Sequence, residues 1–354
     1  MPNDAFRKVA ESAYLRDILD QPRALAATVE TLRPLPRLPQ LREELISRRR
    51  RRVVLTGMGG SYQLLHPIHF RLLRAGFDSL RIETSELLTT LPQLLGPENC
   101  LIVVSQSGAS AETVRLLERV EAARERPLVI GVSNTADSPL AQRADLCVLT
   151  HAGPEATVSC KTALTALAAL EYVGEALCDR GVDALRGELN TLPPIIDSYL
   201  SRWAEHVREL QAELAGVRSV FTVGRGRSLA AAGLGGMIQK EAAHVHGEGM
   251  SSPAFRHGPM EFLNPEIYVV IFDGDPEVSP LNRSLLRDIR AAGGRCALVG
   301  EEQTAGAFRL PRAPARLRGM LELLPVQMVS LALAALRGRT PGEFVRLTKV
   351  TTTE

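Results

Sequence analysis

The sequence predicts an α/β protein of two similar halves, each built on a parallel β-sheet. From Val53 onward, short β-branched runs alternate with longer helical patterns, which is the rhythm of βαβ units. A chain of 354 residues also exceeds the usual size of one core. The predicted strands cover residues 53–55, 101–104, 128–130 and 147–149 in the first half, and 219–223, 268–272 and 296–299 in the second.

The two strand series keep a constant spacing. The turn Gly57-Met58-Gly59-Gly60-Ser61 after the first strand has a counterpart 167 residues later, in Gly224-Arg225-Gly226-Arg227-Ser228. Ile102 and Val269 in the following strands are also 167 apart, and the glycines that close later strands, Gly131 and Gly300, are 169 apart. This register over most of the chain predicts an internal duplication.

Other segments surround the two halves. Helical patterns cover residues 4–32 and 192–214, with a proline-rich connection at 33–39, and Gly338 to Gly342 break the last helical run before a polar tail. We therefore expect an N-terminal helical segment (1–34), a first domain (35–190), a second domain (191–337) and a C-terminal tail (338–354). Such a tail is either frayed or held in a site.

Composition limits the function classes. The 42 Lys and Arg nearly balance the 40 Asp and Glu, so nothing favours a nucleic-acid partner. Five widely spaced cysteines without a C-x-x-C motif indicate a reducing cytoplasm. The N-terminus lacks a signal pattern, and apolar stretches such as 328–336 are too short to span a bilayer, so no membrane role is expected.

The one strong charge run, Arg48 to Arg52, directly precedes the first strand. A nucleic-acid patch is conceivable there. A solvated helix end, with arginines opposite the negative end of the helix dipole, is the better interpretation.

The loop after the second predicted strand can bind an anion. Ser105, Gln106, Ser107, Gly108 and Ser110 follow the strand and open a helical pattern. Backbone N–H groups at a helix start have no intrahelical partner and carry the positive end of the dipole, so they can hold a phosphate. The alternative is a serine-rich helix cap.

The glycine turn at 57–61 lies at the equivalent point of the preceding βα unit, where glycine lets the backbone approach a ligand. Tyr62 interrupts the G-x-G-x-x-G spacing, and a Walker lysine is also missing, so neither a dinucleotide nor a P-loop site is predicted.

In the second half, Glu241 and His257 can supply the base and the acid that aldose–ketose interconversion and ring opening require. Each also has an ordinary explanation, as a solvated helix residue and a loop cap. The pairs His66-x-x-His69 and His244-x-His246 lack a companion ligand set, so no metal site is expected.

Together these motifs resemble the SIS (sugar isomerase) family, specifically the tandem-SIS isomerase half of glucosamine-6-phosphate synthase and its stand-alone relatives. The resemblance runs from the lead-in at 15–22 through the S-Q-S-G loop and the R-H-G-P turn at 256–259 to the terminal L-x-K-x-x-T-x-E. It implies two three-layer αβα domains with flavodoxin-like parallel sheets, a sugar-phosphate ligand and no cofactor.

The resemblance also assigns residues. Glu241 matches the base that moves a proton between C1 and C2, and His257 matches a ring-opening residue that reaches in from the second subunit of a homodimer. Lys349 matches the tail lysine that forms an imine with the ketose carbonyl, a role that requires a neutral amine. The implied substrate- and phosphate-binding residues are Gly59, Gly60, Ser61, Ser105, Gln106, Ser107, Ser110, Val158 and Thr348.

The chain departs from the family at several positions. Pro2 stands where glutamine-using members carry a catalytic cysteine, so glutamine amidotransferase activity is not expected. Relatives carry a glutamate and a lysine at the positions of Leu234 and Ile238, and a glutamate at that of Ala254. The family's E-x-x-V-A-S-T-K stretch is altered in residues 155–162.

These observations predict a deaminase and isomerase of an amino sugar phosphate that converts glucosamine 6-phosphate to fructose 6-phosphate and ammonia. A fructosamine-6-phosphate deglycase or another ketose/aldose phosphate isomerase would need the same carbonyl and proton steps. A non-catalytic sugar-phosphate sensor is the alternative from another class, because SIS folds also serve as regulatory modules.

Overall fold

A computed structural model describes residues 2–35, 37–47, 49–178, 181–302, 306–346 and 348–351. The strands are β1 (Arg52–Gly57), β2 (Ser79–Glu83), β3 (Asn99–Val104), β4 (Leu128–Ser133), β5 (Leu146–Leu149), β6 (Ser219–Gly224), β7 (His246–Ser251), β8 (Ile267–Phe272) and β9 (Arg295–Val299). The α-helices are α1 (Pro2–Ala10), α2 (Ala13–Leu19), α3 (Gln21–Thr31), α4 (Arg37–Ile46), α5 (Gly59–Gln63), α6 (His66–Arg74), α7 (Thr84–Thr89), α8 (Ala111–Ala122), α9 (Pro139–Arg143), α10 (Lys161–Cys178), α11 (Val182–Leu189), α12 (Leu192–Leu200), α13 (Trp203–Glu213), α14 (Leu229–Ala243), α15 (Ser252–Arg256), α16 (Ser279–Ala291), α17 (Arg318–Leu321) and α18 (Leu323–Leu336).

The chain divides into two compact units. The first-sheet unit comprises Arg23–Pro154, Thr162–Asn190 and Leu347–Glu354. The second-sheet unit comprises Met1–Pro22, Glu155–Lys161 and Thr191–Arg346. The tail that carries Lys349 therefore belongs to the first-sheet unit, although it follows the second sheet in sequence.

The first-sheet unit is built on five parallel strands in the order β2-β1-β3-β4-β5, the order of flavodoxin-like folds. Gly57 pairs in register with Val104, so the turn after β1 and the serine loop after β3 start side by side at one edge of the sheet. The β-branched residues of β3 and β4 are buried, as parallel strands covered on both faces require.

The second-sheet unit repeats this arrangement with four parallel strands in the order β7-β6-β8-β9. This order matches that of β2, β1, β3 and β4, which confirms the predicted duplication and fold class. The register corrects two details. Gly131 lies within β4 opposite Val103, and its counterpart opposite Ile271 is Leu298 rather than Gly300. Ile102 lies opposite Leu55, whereas Val270 lies opposite Thr222. Ile102 of β3 is therefore equivalent to Val270 of β8, an offset of 270 − 102 = 168 residues, and not to Val269.

Strands β2 and β7 were not among the predicted strands. In β7, glycines permit close packing under α14: a Cβ on Gly249 would collide with the carbonyl of Ala232, and a Cβ on Gly236 would collide with the backbone of Gly249. The strand is thus specified by packing against the helix rather than by β propensity.

The residues predicted to be helical at 4–32 form three helices, α1, α2 and α3. Ser12 ends the first run and caps α2 by accepting a hydrogen bond from the backbone N–H of Leu15. The predicted helical bridge is likewise two helices, α12 and α13, separated at Ser201 and Arg202.

The longest apolar helical region is longer than the sequence suggested. Ala315–Leu336 spans 22 residues, is helical apart from a turn at Glu322, and contains an 18-residue window with a mean hydropathy of 1.7, which by length and composition alone could cross a membrane. The expectation that every apolar stretch is too short was therefore wrong, because the helical path continues through charged residues such as Arg318 and Glu322. In the structure 89% of this window is buried, which is typical of a core helix.

Candidate active site

The serine loop turns sharply between β3 and α8. Its first residue stays attached to the sheet, since the N–H of Ser105 donates to the Val132 carbonyl at 3.1 Å. The N–H of Gly108 then returns to both the carbonyl and the hydroxyl of Ser105, each at 3.1 Å. The loop is therefore held by its own backbone and by the neighbouring strand, with Ser107 half-buried at its centre.

Gly108 is required by this geometry. Its φ is +62°, in the left-handed region, and a Cβ there would collide with the Ser138 hydroxyl. The Gly108 carbonyl also accepts from the N–H of Leu140 at 3.1 Å, so the turn is fixed against α9.

Ser110 begins α8 without capping it. Its hydroxyl pairs with the Thr113 hydroxyl at 2.8 Å and makes no side-chain cap hydrogen bond. The serine-rich cap considered as an alternative is therefore not formed by Ser110. The glycine turn lies next to this loop because Gly57 approaches β3 closely, and a Cβ on Gly57 would be 2.9 Å from the Val104 carbonyl.

The described part of the C-terminal tail contacts the serine loop. The backbone N–H of Ala111, the first residue of α8, donates to the Thr351 carbonyl at 3.1 Å. Thr348 donates its hydroxyl to the Val350 carbonyl at 2.8 Å, which turns the tail around Lys349. The structure thus brings the described part of the tail to the start of α8 through Thr351, two residues after Lys349.

The equivalent edge of the second sheet contains an acceptor supplied by the chain itself. The Ser228 hydroxyl donates to Glu322 Oε1 at 2.9 Å, and the N–H of Gly274 donates to the same oxygen at 2.7 Å. Ser228 is the counterpart of Ser61, and the sheet register makes Gly274 the counterpart of Gln106. In this half, a buried carboxyl oxygen therefore occupies the place where the duplicated donors converge.

Glu322 has an unusual environment. It is completely buried, and Oε2 has no hydrogen-bond partner among the residues that the structure describes. Burial raises the pKa of its carboxyl from 4.5 to about 8, against the opposing effect of the Ser228 and Gly274 hydrogen bonds. Sequence reasoning missed this residue because it lies between α17 and α18, 94 residues along the chain from Ser228.

Glu241 lies half-buried near the end of α14. Its charge is felt by the buried Tyr14 hydroxyl, whose pKa is raised well above its ordinary value by burial, then by Cys160, and further by Glu241 and Glu155. Tyr14 therefore experiences the charge of Glu241 and that of Glu155, which belongs to the segment that includes Val158. Tyr14 was not predicted; its position beside the family-like lead-in was the available signal.

The segment that carries Val158 is anchored by buried charges. Lys161 Nζ lies 3.0 Å from Asp17 Oδ1 and 2.9 Å from Asp20 Oδ2. Asp17 also accepts from the Ala156 N–H at 2.7 Å, and Glu155 accepts from the Cys160 N–H at 2.9 Å. The family-like lead-in at 15–22 and the altered 155–162 stretch are therefore physically linked.

His257 is exposed at the end of α15, where its N–H donates to the Ala254 carbonyl at 3.1 Å. It lies beyond the carboxyl end of β7, whereas Glu241 precedes the amino end of that strand. Six strand residues span about 17 Å, so the second-sheet unit does not bring these two side chains together. The role that the resemblance implies for His257, acting from a second copy of the chain, stays a prediction.

The positions that depart from the family pattern differ in burial. Leu234 and Ile238 are buried on α14, one helical turn apart, so the charged pair of relatives is replaced by apolar packing. Ala254 is exposed and its N–H donates to the Ser251 hydroxyl at 3.2 Å.

Comparison with known proteins agrees with this architecture. The SIS domain family matches residues 45–175. Over 355 aligned residues the chain is 30% identical to glutamine–fructose-6-phosphate aminotransferase (isomerizing) of Pyrococcus horikoshii, covering 97% of this chain and 58% of that protein. The chain thus spans a little over half the length of this relative.

Two solved structures share the fold. The C-terminal domain of glucosamine-fructose-6-phosphate aminotransferase from Francisella tularensis has a TM-score of 0.79 at 21% identity, covering 93% of this chain and 97% of that chain. Glucosamine-6-phosphate deaminase from Thermotoga maritima has a TM-score of 0.77 at 17% identity, covering 97% and 100%. The chain therefore contains an SIS domain at residues 45–175, and over nearly its whole length it resembles the isomerase half of glutamine–fructose-6-phosphate aminotransferase.

Proposed function

We propose that this protein binds the phosphate of an aminohexose 6-phosphate at the serine loop and converts glucosamine 6-phosphate to fructose 6-phosphate and ammonia. The observation that carries the proposal is the hydrogen bond from Ala111 N–H to the Thr351 carbonyl. It holds the tail with Lys349 at the helix start where the sugar phosphate is proposed to bind. The Lys349 amine and the serine loop belong to the same unit, which suits chemistry on a phosphorylated carbonyl compound.

The duplicated edge supports the phosphate assignment. Ser228 and the Gly274 N–H converge on one carboxyl oxygen, so the fold provides at this edge two donors that meet at an acceptor. We assign the equivalent donors, Ser61 and the backbone of Gln106, to a phosphate oxygen. Ser105, Ser107 and Ser110 supply further hydroxyls, and the α8 dipole favours the anion without a lysine.

The reaction begins with ring opening. His257 of a second copy takes the proton of the O1 hydroxyl and delivers a proton to the ring oxygen, which leaves an aldehyde at C1. The Glu241 carboxylate then takes the C2 proton and returns it to C1, and a proton passes from the substrate nitrogen to O1, so C1 becomes the CH₂OH group and C2 becomes an imine.

Release of ammonia completes the reaction. The neutral amine of Lys349 adds to C2 and expels the substrate nitrogen as ammonia, forming an imine with the lysine. Water hydrolyses this imine to the C2 ketone and restores the amine. The net change is glucosamine 6-phosphate and water to fructose 6-phosphate and ammonia.

A sugar-phosphate sensor is the second candidate, favoured by one observation. Leu234 and Ile238 are buried and apolar where the family carries a glutamate and a lysine. A protein that kept the phosphate site but lost the polar lining next to Glu241 would bind without turnover.

The test of the proposal is turnover of glucosamine 6-phosphate, measured as ammonia and fructose 6-phosphate, with Ser107→Ala beside Ser201→Ala, an exposed control. Loss of one hydrogen bond to a charged phosphate is expected to weaken substrate binding by about tenfold or more in Ser107→Ala only. Turnover that Ser107→Ala leaves unchanged would contradict the phosphate assignment. Binding without turnover would favour the sensor.

A mixing experiment tests the role of His257. His257→Ala and Glu241→Gln are each expected to be inactive. If the histidine acts across subunits, reassembled mixtures should recover about a quarter of wild-type activity, because half the dimers are mixed and each holds one complete set. No recovery, with mixed dimers demonstrated, would contradict the shared arrangement.

A further inference from the structure

We propose that the first-sheet unit carries a second ligand site, a cavity that binds a small phosphate ester with an apolar or aromatic body. The cavity has a volume of about 620 Å³ and lies where α4 meets the starts of β1 and β2. This volume is within the range of small-molecule pockets. The proposal does not depend on the activity proposed above.

The cavity is distinct from the serine loop. It opens at Arg52, the first residue of β1, whereas the glycine turn and the serine loop follow the other end of that strand. The six residues of β1 separate the two edges by about 17 Å. A ligand in the cavity therefore cannot share the phosphate-binding loop.

The charge of the described lining favours an anion. It includes Arg42, Arg51 and Arg52 and a single acidic residue, Asp78, which gives a net charge of +2. Asp78 lies 3.2 Å from Arg52 Nε, and Arg51 is exposed. Guanidinium groups match phosphate oxygens in geometry and in charge.

The remaining wall is apolar. Leu45 and the half-buried Phe77 line it, and Ile46 is 56% exposed at its surface, unusual for a large aliphatic side chain. Inorganic phosphate would leave this wall and most of the volume unused. A nucleoside phosphate, with a flat base for the wall and a phosphate for the arginines, has the required chemistry.

The arginine run that precedes β1 is therefore not uniform. Arg50 is tied to Glu44 at 2.7 Å, and Arg49 donates to the Ser47 hydroxyl at 3.2 Å. These two arginines match the predicted solvated helix end, because each has a partner at the end of α4 or directly after it. Arg51 and Arg52 instead line the cavity.

The experiment is calorimetric titration of the full chain with ADP, with inorganic phosphate and adenosine as separate probes. ADP is expected to bind more tightly than either part. Arg51→Ala is expected to weaken ADP binding by about tenfold, because it removes a charged hydrogen-bond donor. Arg49→Ala, a neighbour with the same charge loss outside the cavity, is expected to bind as the wild type does.

Two further variants keep the proposal open to refutation. Ile46→Glu is expected to abolish ADP binding, and Ser107→Ala to leave it unchanged. Equal affinity in Arg51→Ala and the wild type, no detectable ADP binding, or loss in Ser107→Ala would overturn the proposal. Tighter binding of a single-stranded oligonucleotide than of ADP would also overturn it and indicate a nucleic-acid surface.

Discussion

The buried carboxyl of Glu322 is expected to make the protein less stable as pH rises, and Glu322→Gln to remove this effect. The pKa is about 8 in the folded protein and 4.5 ordinarily. Below pH 4.5 the carboxyl is protonated in both states, so it costs nothing. Above that pH the unfolded chain ionises and the folded protein does not, so stability falls until the pH passes the folded pKa.

The magnitude follows from the two pKa values. Each pH unit between them costs about 1.4 kcal/mol, which gives about 1 kcal/mol at pH 5 and about 3 kcal/mol at pH 7. Glutamine keeps the oxygen that accepts from Ser228 and Gly274 but cannot ionise. The stabilisation by Glu322→Gln should therefore grow by about 2 to 3 kcal/mol between pH 5 and pH 7.

The assay is urea unfolding of both proteins at pH 5, 6 and 7. Glu205→Gln is the control, since Glu205 is an exposed partner of Arg202 whose hydrogen bond lowers the glutamate pKa. It should show no growing stabilisation with pH. A Glu322→Gln effect that is the same at all three pH values, or destabilisation at pH 7, would refute the reasoning.

Three other changes have predictable results. Gly108→Ala should lower the free energy of unfolding in urea by several kcal/mol and abolish substrate binding, because the added Cβ collides with Ser138. Gly216→Ala, at a similar φ of +78° but in open space, should lower it by about 1 to 2 kcal/mol. Equal losses would contradict the collision. Lys161→Met should lower the free energy of unfolding by about 3 to 5 kcal/mol, because the buried Asp17 carboxylate and the partly buried Asp20 carboxylate lose their partner, whereas Arg202→Ala, which removes an exposed ion pair, should change it much less; a small Lys161 effect would argue against the anchor. Truncation after Val350 should abolish turnover while Lys349 is retained, whereas truncation after Thr351 should preserve it; equal activities would show that the tail hydrogen bond is dispensable.

The strands that the sequence predicted are those with a continuous β-branched signal. β3 and β8 are buried on both faces, so their residues are almost entirely apolar. β2 and β7 are edge strands with charged or glycine residues, and β7 is defined by the fit of Gly249 under α14. The β propensity of the residues does not report how a strand packs against a helix, so β7 could not be predicted from it.

The candidate site residues that lie in a contiguous motif could be predicted from the sequence. The buried contacts between residues far apart in sequence could not. The serine loop could be read because its residues adjoin in sequence. The Lys161 anchor joins residues about 140 positions apart, and the Glu322 carboxyl meets Ser228 across 94. Such contacts depend on topology, which a single sequence specifies only through the complete fold.

The most direct test of the account is ammonia and fructose 6-phosphate production from glucosamine 6-phosphate by the wild type, Lys349→Ala and Glu241→Gln. We predict turnover in the wild type, loss of ammonia release in Lys349→Ala, and loss of both products in Glu241→Gln. No turnover by the wild type, despite substrate binding that Ser107→Ala abolishes, would contradict the deaminase and leave a sugar-phosphate sensor. Full turnover in both variants would show that neither residue carries the chemistry.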